Sequence, residues 1–166
     1  MNKIKITLPD SSVLEMKPGS TPQDVANKIG PGLGRSVLVA RVDKTLIDLN
    51  TPLYKNCNVF FYNGETEEGH DTLLHSTAHL MAQAVKELYP NAKITIGPTI
   101  ENGFYYDFDV PNNFTNEDIA LIEKKMKDLA KSNQEIIRHE LDSKEAIEHF
   151  NKIDEPYNVE IIKDID

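Results

Sequence analysis

The apolar residues of this chain recur with two different periods, and that constrains its fold more than any other feature. Up to Tyr62 the spacing is short and mostly alternating. Ile4, Ile6 and Leu8 are separated by polar neighbours, while Val37 to Val42 and Val59-Phe60-Phe61-Tyr62 are β-branched and aromatic runs. Alternation turns one side of an extended strand to a core and the other to water. From Leu74 onward the period lengthens. Leu74, Ala78, Met81, Val85 and Leu88 follow at steps of four, three, four and three, the spacing of one helical face. A chain carrying both patterns in separate stretches is expected to fold as α+β.

The first stretch can be read element by element. Pro9-Asp10-Ser11-Ser12 carries turn chemistry, so Val13 to Lys17 returns as the second arm of a hairpin. In Ser20-Thr21-Pro22-Gln23-Asp24, Thr21 is placed to cap a helix, Pro22 suits its first position, and Asp24 favours the positive end of the dipole. Val25, Ala26 and Ile29 give a short apolar face, and Gly30-Pro31 ends it. Val37 to Val42 reads as a strand and Asp43-Lys44 as a turn. Leu46, Leu49 and Leu53 mark a looser segment, and Val59 to Tyr62 reads as a last strand. Hairpin, helix, strand, irregular piece, strand is the element order of a β-grasp, ubiquitin-like domain, a size at which a core is just sustainable. Such a fold serves mostly as an interaction module and does not by itself fix a function. Cys57, with no histidine or second cysteine near it in sequence, reads as packing.

Charge divides the chain at the same place. Residues 1–62 hold eight basic and five acidic side chains, a surplus of +3; residues 63–166 hold ten and 22, or -12, for -9 in all. Such asymmetry points to two units in different surroundings. Asn63-Gly64-Glu65-Thr66-Glu67-Glu68-Gly69, with two glycines and three glutamates, reads as an exposed linker. The expected organisation is a β-grasp domain over 1–62, a linker over 63–70 and a larger α+β domain over 71–166. No stretch approaches the roughly 18 apolar residues of a membrane span, and Met1-Asn2-Lys3-Ile4-Lys5 leads into a polar turn rather than a signal-peptide core. A single cysteine excludes an internal disulfide framework and a cysteine zinc cage, so a reducing, cytoplasmic setting is expected.

The second unit carries the chemistry. Asp71 or Thr72 can cap a helix running to about Tyr89, and on it His75 and His79 lie one turn apart. Each sits one residue past the apolar stripe, about 100° round the helix, at the border of the core. Three readings stay open. The pair can be two border histidines bonded locally. It can be half of a metal site, with His70, His139 or His149 as a third ligand by residue type alone. It can do acid–base work on a water or hydroxyl proton. A zinc-protease helix would place Glu directly after the first histidine; here Ser76 stands there.

Downstream, Lys93 to Ile96 reads as a short strand broken by Gly97-Pro98, and Asn102-Gly103 as a tight turn. Phe104 to Asp109 follows as a strand, with Phe104, Tyr106 and Phe108 on one face. Thr115 and Asp118 announce a helix with Ile119, Ile122, Met126 and Leu129 along one stripe. Its Lys124, Lys125, Lys127 and Lys131 form either a solvated face or a weak basic surface for RNA phosphates. Glu135 to Leu141 reads as a strand. Ser143 reads as the cap of a short helix through Ala146, Ile147 and Phe150, and Asn158 to Ile162 as a strand after the Glu155-Pro156-Tyr157 turn. Ending at Asp166 on a strand that leads onward, the larger domain is expected to be incomplete.

His75-Ser76-Thr77-Ala78-His79-Leu80, with Gly97-Pro98 and Asn102-Gly103-Phe104-Tyr105-Tyr106-Asp107, resembles the editing domain of threonyl-tRNA synthetases. The first unit is similar to the small ubiquitin-like TGS domain that precedes it there, most of all from Thr21-Pro22 through Ile29-Gly30-Pro31-Gly32-Leu33. The resemblance covers nearly the whole chain. It implies hydrolysis of serine wrongly esterified to the terminal ribose of threonine tRNA. His75 and His79 match the histidines that position or activate the attacking water and contact that ribose. Gly97 and Tyr106 match positions lining the pocket. Proofreading is needed because binding alone distinguishes an added methyl by only about 1–3 kcal/mol. The related alanine-type editing domains pair similar histidines with a metal, which keeps a free-standing metal-dependent deacylase in view. A non-catalytic RNA- or protein-binding module is the other alternative.

Two departures from the family stand out. Its site is completed by a downstream Cys-x-x-x-His element that this chain stops short of, and Cys57 cannot replace it. Where the family often has a lysine after the tyrosine matching Tyr157, this chain has Asn158, which would alter a polar group that helps separate serine from threonine. The aminoacylation core is absent, so no cofactor or metal is expected in these residues. ATP, Mg and Zn belong to the parent enzyme's core. The expected partners are the acceptor end of threonine tRNA and the rest of a homodimeric synthetase, with no membrane involved.

Overall fold

The computed structural model describes residues 3–165 and divides them into two compact units, with the boundary between Leu73 and Leu74. Met1 and Asn2, on which the expectation of no signal-peptide core rests in part, and Asp166 lie outside the described residues.

The first unit is a mixed five-stranded sheet with two short helices. Its strands are β1 (Ile4–Thr7), β2 (Val13–Met16), β3 (Val37–Val42), β4 (Thr45–Ile47) and β5 (Cys57–Asn63), in the order β2-β1-β5-β3-β4. β1 and β5 run parallel at the centre, Ile6 opposite Cys57, and the other pairs are antiparallel. That is the β-grasp arrangement. Ile6, Val25 and Val59 are fully buried and pack with Ile4, Met16, Ala40, Leu53 and Cys57. Burial pushes the Cys57 thiol up, which suits a packing residue rather than a nucleophile. Helix α1 (Pro22–Ile29) opens on a reciprocal capping box: Asp24 N–H donates to Thr21 Oγ1 at 3.2 Å and Thr21 N–H donates to Asp24 Oδ2 at 2.9 Å.

The structure adds a helix that the Gly30-Pro31 stop signal conceals. Pro31 ends α1 but also occupies the first position of α2 (Pro31–Ser36), where its missing N–H is no loss. The Gln23 side-chain amide fastens α2 by donating to the Gly34 carbonyl at 2.8 Å.

The stretch 63–70 is not a free linker. β5 runs through Asn63, and Thr66 then folds the chain back. Thr66 donates to the Asn63 carbonyl through its N–H at 3.1 Å and through Oγ1 at 2.7 Å, and its Oγ1 accepts from Gly69 N–H at 3.2 Å. Thr66 therefore does the capping work expected of Asp71 or Thr72, and Glu67 and Glu68 sit at the positive end of the dipole. The resulting helix α3 is Glu67–Leu88, 22 residues. A Cβ on Gly69 would lie 1.8 Å from the Asn63 carbonyl oxygen, so only glycine permits this tight entry. Arg41 closes the turn from β3, pairing with Glu68 at 2.7 Å while lying over the Tyr62 ring.

In the second unit, two small antiparallel ladders follow the helix: β6 (Lys93–Ile94) with β9 (Phe108–Asp109), and β7 (Thr99–Ile100) with β8 (Gly103–Phe104). The single strand expected over Phe104–Asp109 is interrupted. Backbone bonds still cross the gap, from Thr95 N–H to Asp107 O at 3.2 Å and from Asp107 N–H to Ile96 O at 3.0 Å. Regular pairing fails beside Gly97-Pro98 because proline has no donor for the ladder. Helix α4 (Asn116–Ser132) has the expected Thr115–Asp118 capping box. Ile122 and Leu129 bury against Ala84, Val85 and Ala92, whereas Ile119 is exposed. Two of the α4 lysines are spent in ion pairs, Lys125 with Glu87 and Lys127 with Glu123.

Three expectations for the last third are overturned. Residues 134–142 form no strand; Ile136 is 90% exposed. A strand persists only when its backbone groups find partners, and among the described residues none pairs with this segment. The cap of α5 (Ser143–Lys152) is Asp142, which accepts from the N–H groups of Lys144 and Glu145, not Ser143. Asn158 to Ile162 is helical, within α6 (Pro156–Lys163). Pro156 starts this helix at its first position, and the β-branched run after it buries only Val159.

Candidate functional site

The histidine pair is held by ordinary helix geometry. His75 and His79 are one turn apart on α3, their ring centroids 4.5 Å from each other and tilted by 44°. Ala78, Ala82 and Val85 are buried on the adjacent side of the helix, within about 120° of both histidines, so the pair lies at the border of the core with its side chains exposed. Partial loss of hydration, with a smaller repulsion from His75, holds the His79 imidazole below its ordinary value. At neutral pH His79 is therefore an uncharged acceptor. Among the described residues no group of three His, Cys, Asp or Glu comes together in a metal-ligating cluster. His149 lies edge-on against Phe150, in the helix after the exposed segment that holds His139.

Gly97 and Tyr106 are brought into direct contact. A Cβ built on Gly97 would stand 2.1 Å from Tyr106 Cδ2, so the backbone at Gly97 lies flat against the ring. The ring is stacked in turn on Phe108, centroids 5.0 Å apart, and Phe108 meets Phe114 edge-on at 6.0 Å. Burial, and less strongly the charge of Glu155, push the Tyr106 phenol up, so it remains a hydroxyl donor across the physiological range. Among the described residues no ring contact or hydrogen bond joins this pair directly to the histidines. Asn158 lies on α6, next to Tyr157, whose hydroxyl donates to Asp109 Oδ2 at 3.0 Å.

Sequence patterns miss one group altogether. Glu155 is only 4% exposed. Its carboxylate is ion-paired with Lys86 of α3, and its Oε2 accepts from Ile94 N–H of β6 at 3.3 Å. The neighbouring Asp154 pairs with Lys93, whose ammonium also donates to the Asp154 carbonyl at 2.7 Å. Glutamate before proline reads as a surface turn because glutamate is rarely buried; no local pattern marks the exception.

Residues 4–61 match the TGS domain family. Threonine–tRNA ligase of Geobacter sp. is 48% identical over 165 residues, 99% of this chain and 26% of that protein. Threonine–tRNA ligase of Acetivibrio thermocellus is 46% identical over 162 residues, 98% of this chain and 26% of that protein. That of Anoxybacillus flavithermus is 44% identical over 162 residues, covering 98% and 25%. The chain thus spans about a quarter of the length of these relatives. Over that quarter the chain is similar in sequence to the threonine–tRNA ligases, and its residues 4–61 match the TGS domain family.

Proposed function

We propose that the chain is the N-terminal part of a threonine–tRNA ligase, and that its second unit contributes the pocket that removes serine from mischarged threonine tRNA. The observation that carries this reading is the adjacent, tilted histidine pair, one member of which has its imidazole held below the ordinary value. Hydrolysis of an aminoacyl ester needs a proton acceptor for the attacking water and a donor for the departing ribose oxygen. His79, held neutral, takes the proton from water. His75, one turn away, orients the water or the ribose hydroxyl. The protonated His79 then returns that proton to the ribose oxygen as the tetrahedral intermediate collapses, breaking the ester C–O bond and releasing serine and the free tRNA end. Gly97, which presents bare backbone, and Tyr106, which presents a ring and a lasting hydroxyl, form a wall suited to a ribose or base. Asn158 follows Tyr157, whose hydroxyl donates to Asp109 on β9.

The bound partner is the acceptor end of tRNA, within a cytoplasmic homodimeric synthetase. Attachment of threonine, with ATP, Mg and Zn, belongs to the parent enzyme's core, and these residues alone are inactive. Among the described residues no helix is long and apolar enough to cross a membrane.

The full-length protein should deacylate seryl-tRNA for threonine faster than threonyl-tRNA. Replacing His75 or His79 by Ala should slow that step by about 10²–10⁴. Unchanged deacylation in both variants would remove the pair from the mechanism. A stoichiometric metal ion bound to the chain would favour a metal-dependent deacylase instead.

A further inference from the structure

We infer that Glu155 is a positioning residue of this site: it ties the face of α3 that carries His75 and His79 to the strand that leads into the Gly97–Tyr106 wall. The inference rests on the editing reading for its activity arm and on geometry for the rest. Lys86 follows His75 by eleven residues and His79 by seven. At 100° per residue the three side chains fall within about 40° of one another around the helix. Whatever is clamped to Lys86 is therefore drawn against the histidine face. What is clamped there is the α5–α6 turn, through the buried Glu155 carboxylate, and the same carboxylate accepts from Ile94 N–H. Three residues after Ile94 the chain reaches Gly97, packed on Tyr106.

Two further bonds point the same way. Lys93 of β6 pairs with Asp154, and Asp109 of β9 accepts from Tyr157. The segment 154–157 thus grips both strands of the ladder that bears the wall, and Glu155 alone in it also reaches the histidine helix. A carboxylate this buried carries a large desolvation cost, which a mere surface turn would avoid by pointing outward.

Glu155→Gln tests this. Lys86 and Ile94 N–H are met by different carboxylate oxygens, Oε1 and Oε2, so in glutamine one of these two donors faces an NH₂ group instead of an acceptor, and the charge that pairs with Lys86 is lost. In NMR spectra of the chain, the Gly97 amide and Tyr106 ring signals should shift and the cross-peak between them should weaken. The α3 amides should stay protected and the histidine titrations unmoved. In the full-length protein, KM for seryl-tRNA should rise about tenfold, with kcat within twofold and the pH midpoint unchanged. Glu155→Asp, which keeps the charge but is one methylene shorter, should fall between. A folded Glu155→Gln with wild-type Gly97–Tyr106 signals would overturn the inference, as would a fall in kcat at constant KM. So would unfolding of both variants, since Glu155 would then hold the fold rather than the wall. If His75→Ala and His79→Ala leave deacylation intact, the editing reading fails, and the NMR arm still decides what Glu155 positions.

Discussion

Gly97→Ala is the substitution whose consequence follows most directly from the coordinates. The added methyl would begin 2.1 Å from Tyr106 Cδ2 and 2.4 Å from Cε2. Carbon atoms pack at about 3.5–4.0 Å, so the ring or the backbone must retreat by roughly 1.5 Å. The ring cannot slide freely, because it is stacked on Phe108, which meets Phe114. Overpacking of this kind costs about 1–3 kcal/mol. For a unit the size of Leu74–Asp166 each kcal/mol lowers the melting temperature by about 4–8 °C. Calorimetry should therefore show the transition of the second unit falling by roughly 5–20 °C while that of the first unit stays in place. A double-mutant cycle isolates the cause: in a Tyr106→Ala background the alanine at 97 should be nearly neutral. If Gly97→Ala costs less than about 0.5 kcal/mol, or costs as much without the ring as with it, the wall is not built as described.

Three other outcomes follow. Thr21→Ala removes the α1 capping box and should destabilise the first unit by about 1 kcal/mol, measured by denaturant unfolding of that unit. Gly69→Ala places a methyl against the Asn63 carbonyl rather than against a movable side chain, so hydrogen exchange at the first α3 amides should quicken markedly; unchanged protection would show that the turn can yield. His79 should titrate by NMR below its ordinary imidazole value, and His75→Ala should raise it only slightly, since lost hydration is the larger cause. Because the folded pKa is the depressed one, the unfolded chain takes up the proton first. No stability is lost above about pH 6.5; the loss begins as pH falls through that value and is complete below the folded pKa.

The first unit was legible because its signals are local. Thr21, Pro22 and Asp24 specify a helix start within a few residues, and Ile4, Ile6 and Val59 alternate as half-buried strands must. The histidine spacing and the Thr115 cap are legible for the same reason. The last third is different. Residues 135–141 and 158–162 are both β-branched and apolar enough to read as strands, yet a strand is a pairing, and pairing depends on residues far away in sequence. The first run finds no partner and stays irregular; the second finds Pro156 ahead of it and winds into α6. The contact of Gly97 with Tyr106 is invisible in sequence beyond the residue types, since it depends on how an irregular hairpin closes around Pro98. The burial of Glu155 is still less visible, because composition assigns glutamate to the surface.

The charge pattern acquires a structural cause. The segment 63–166 has ten basic side chains against 22 acidic ones, and five of those ten, Lys86, Lys93, Lys125, Lys127 and Arg138, are in ion pairs with its own carboxylates. Lys86 and Lys93 are moreover the two that fasten the 154–155 turn. Lys86 and Lys93 are committed to that turn, whereas Lys127 and Arg138 sit in exposed local pairs that contribute little to the fold; the 22 carboxylates still outnumber the ten cations, and release of counterions by free cations is the source of most non-specific affinity for a nucleic-acid backbone. Under the proposed function, a unit so constituted suits recognition of one nucleotide by shape, ring and hydroxyl rather than a grip on a duplex. The acidity that argues against a nucleic-acid partner is thus compatible with the proposed pocket for the very end of one, the grip on the rest of the molecule then falling to residues outside this unit.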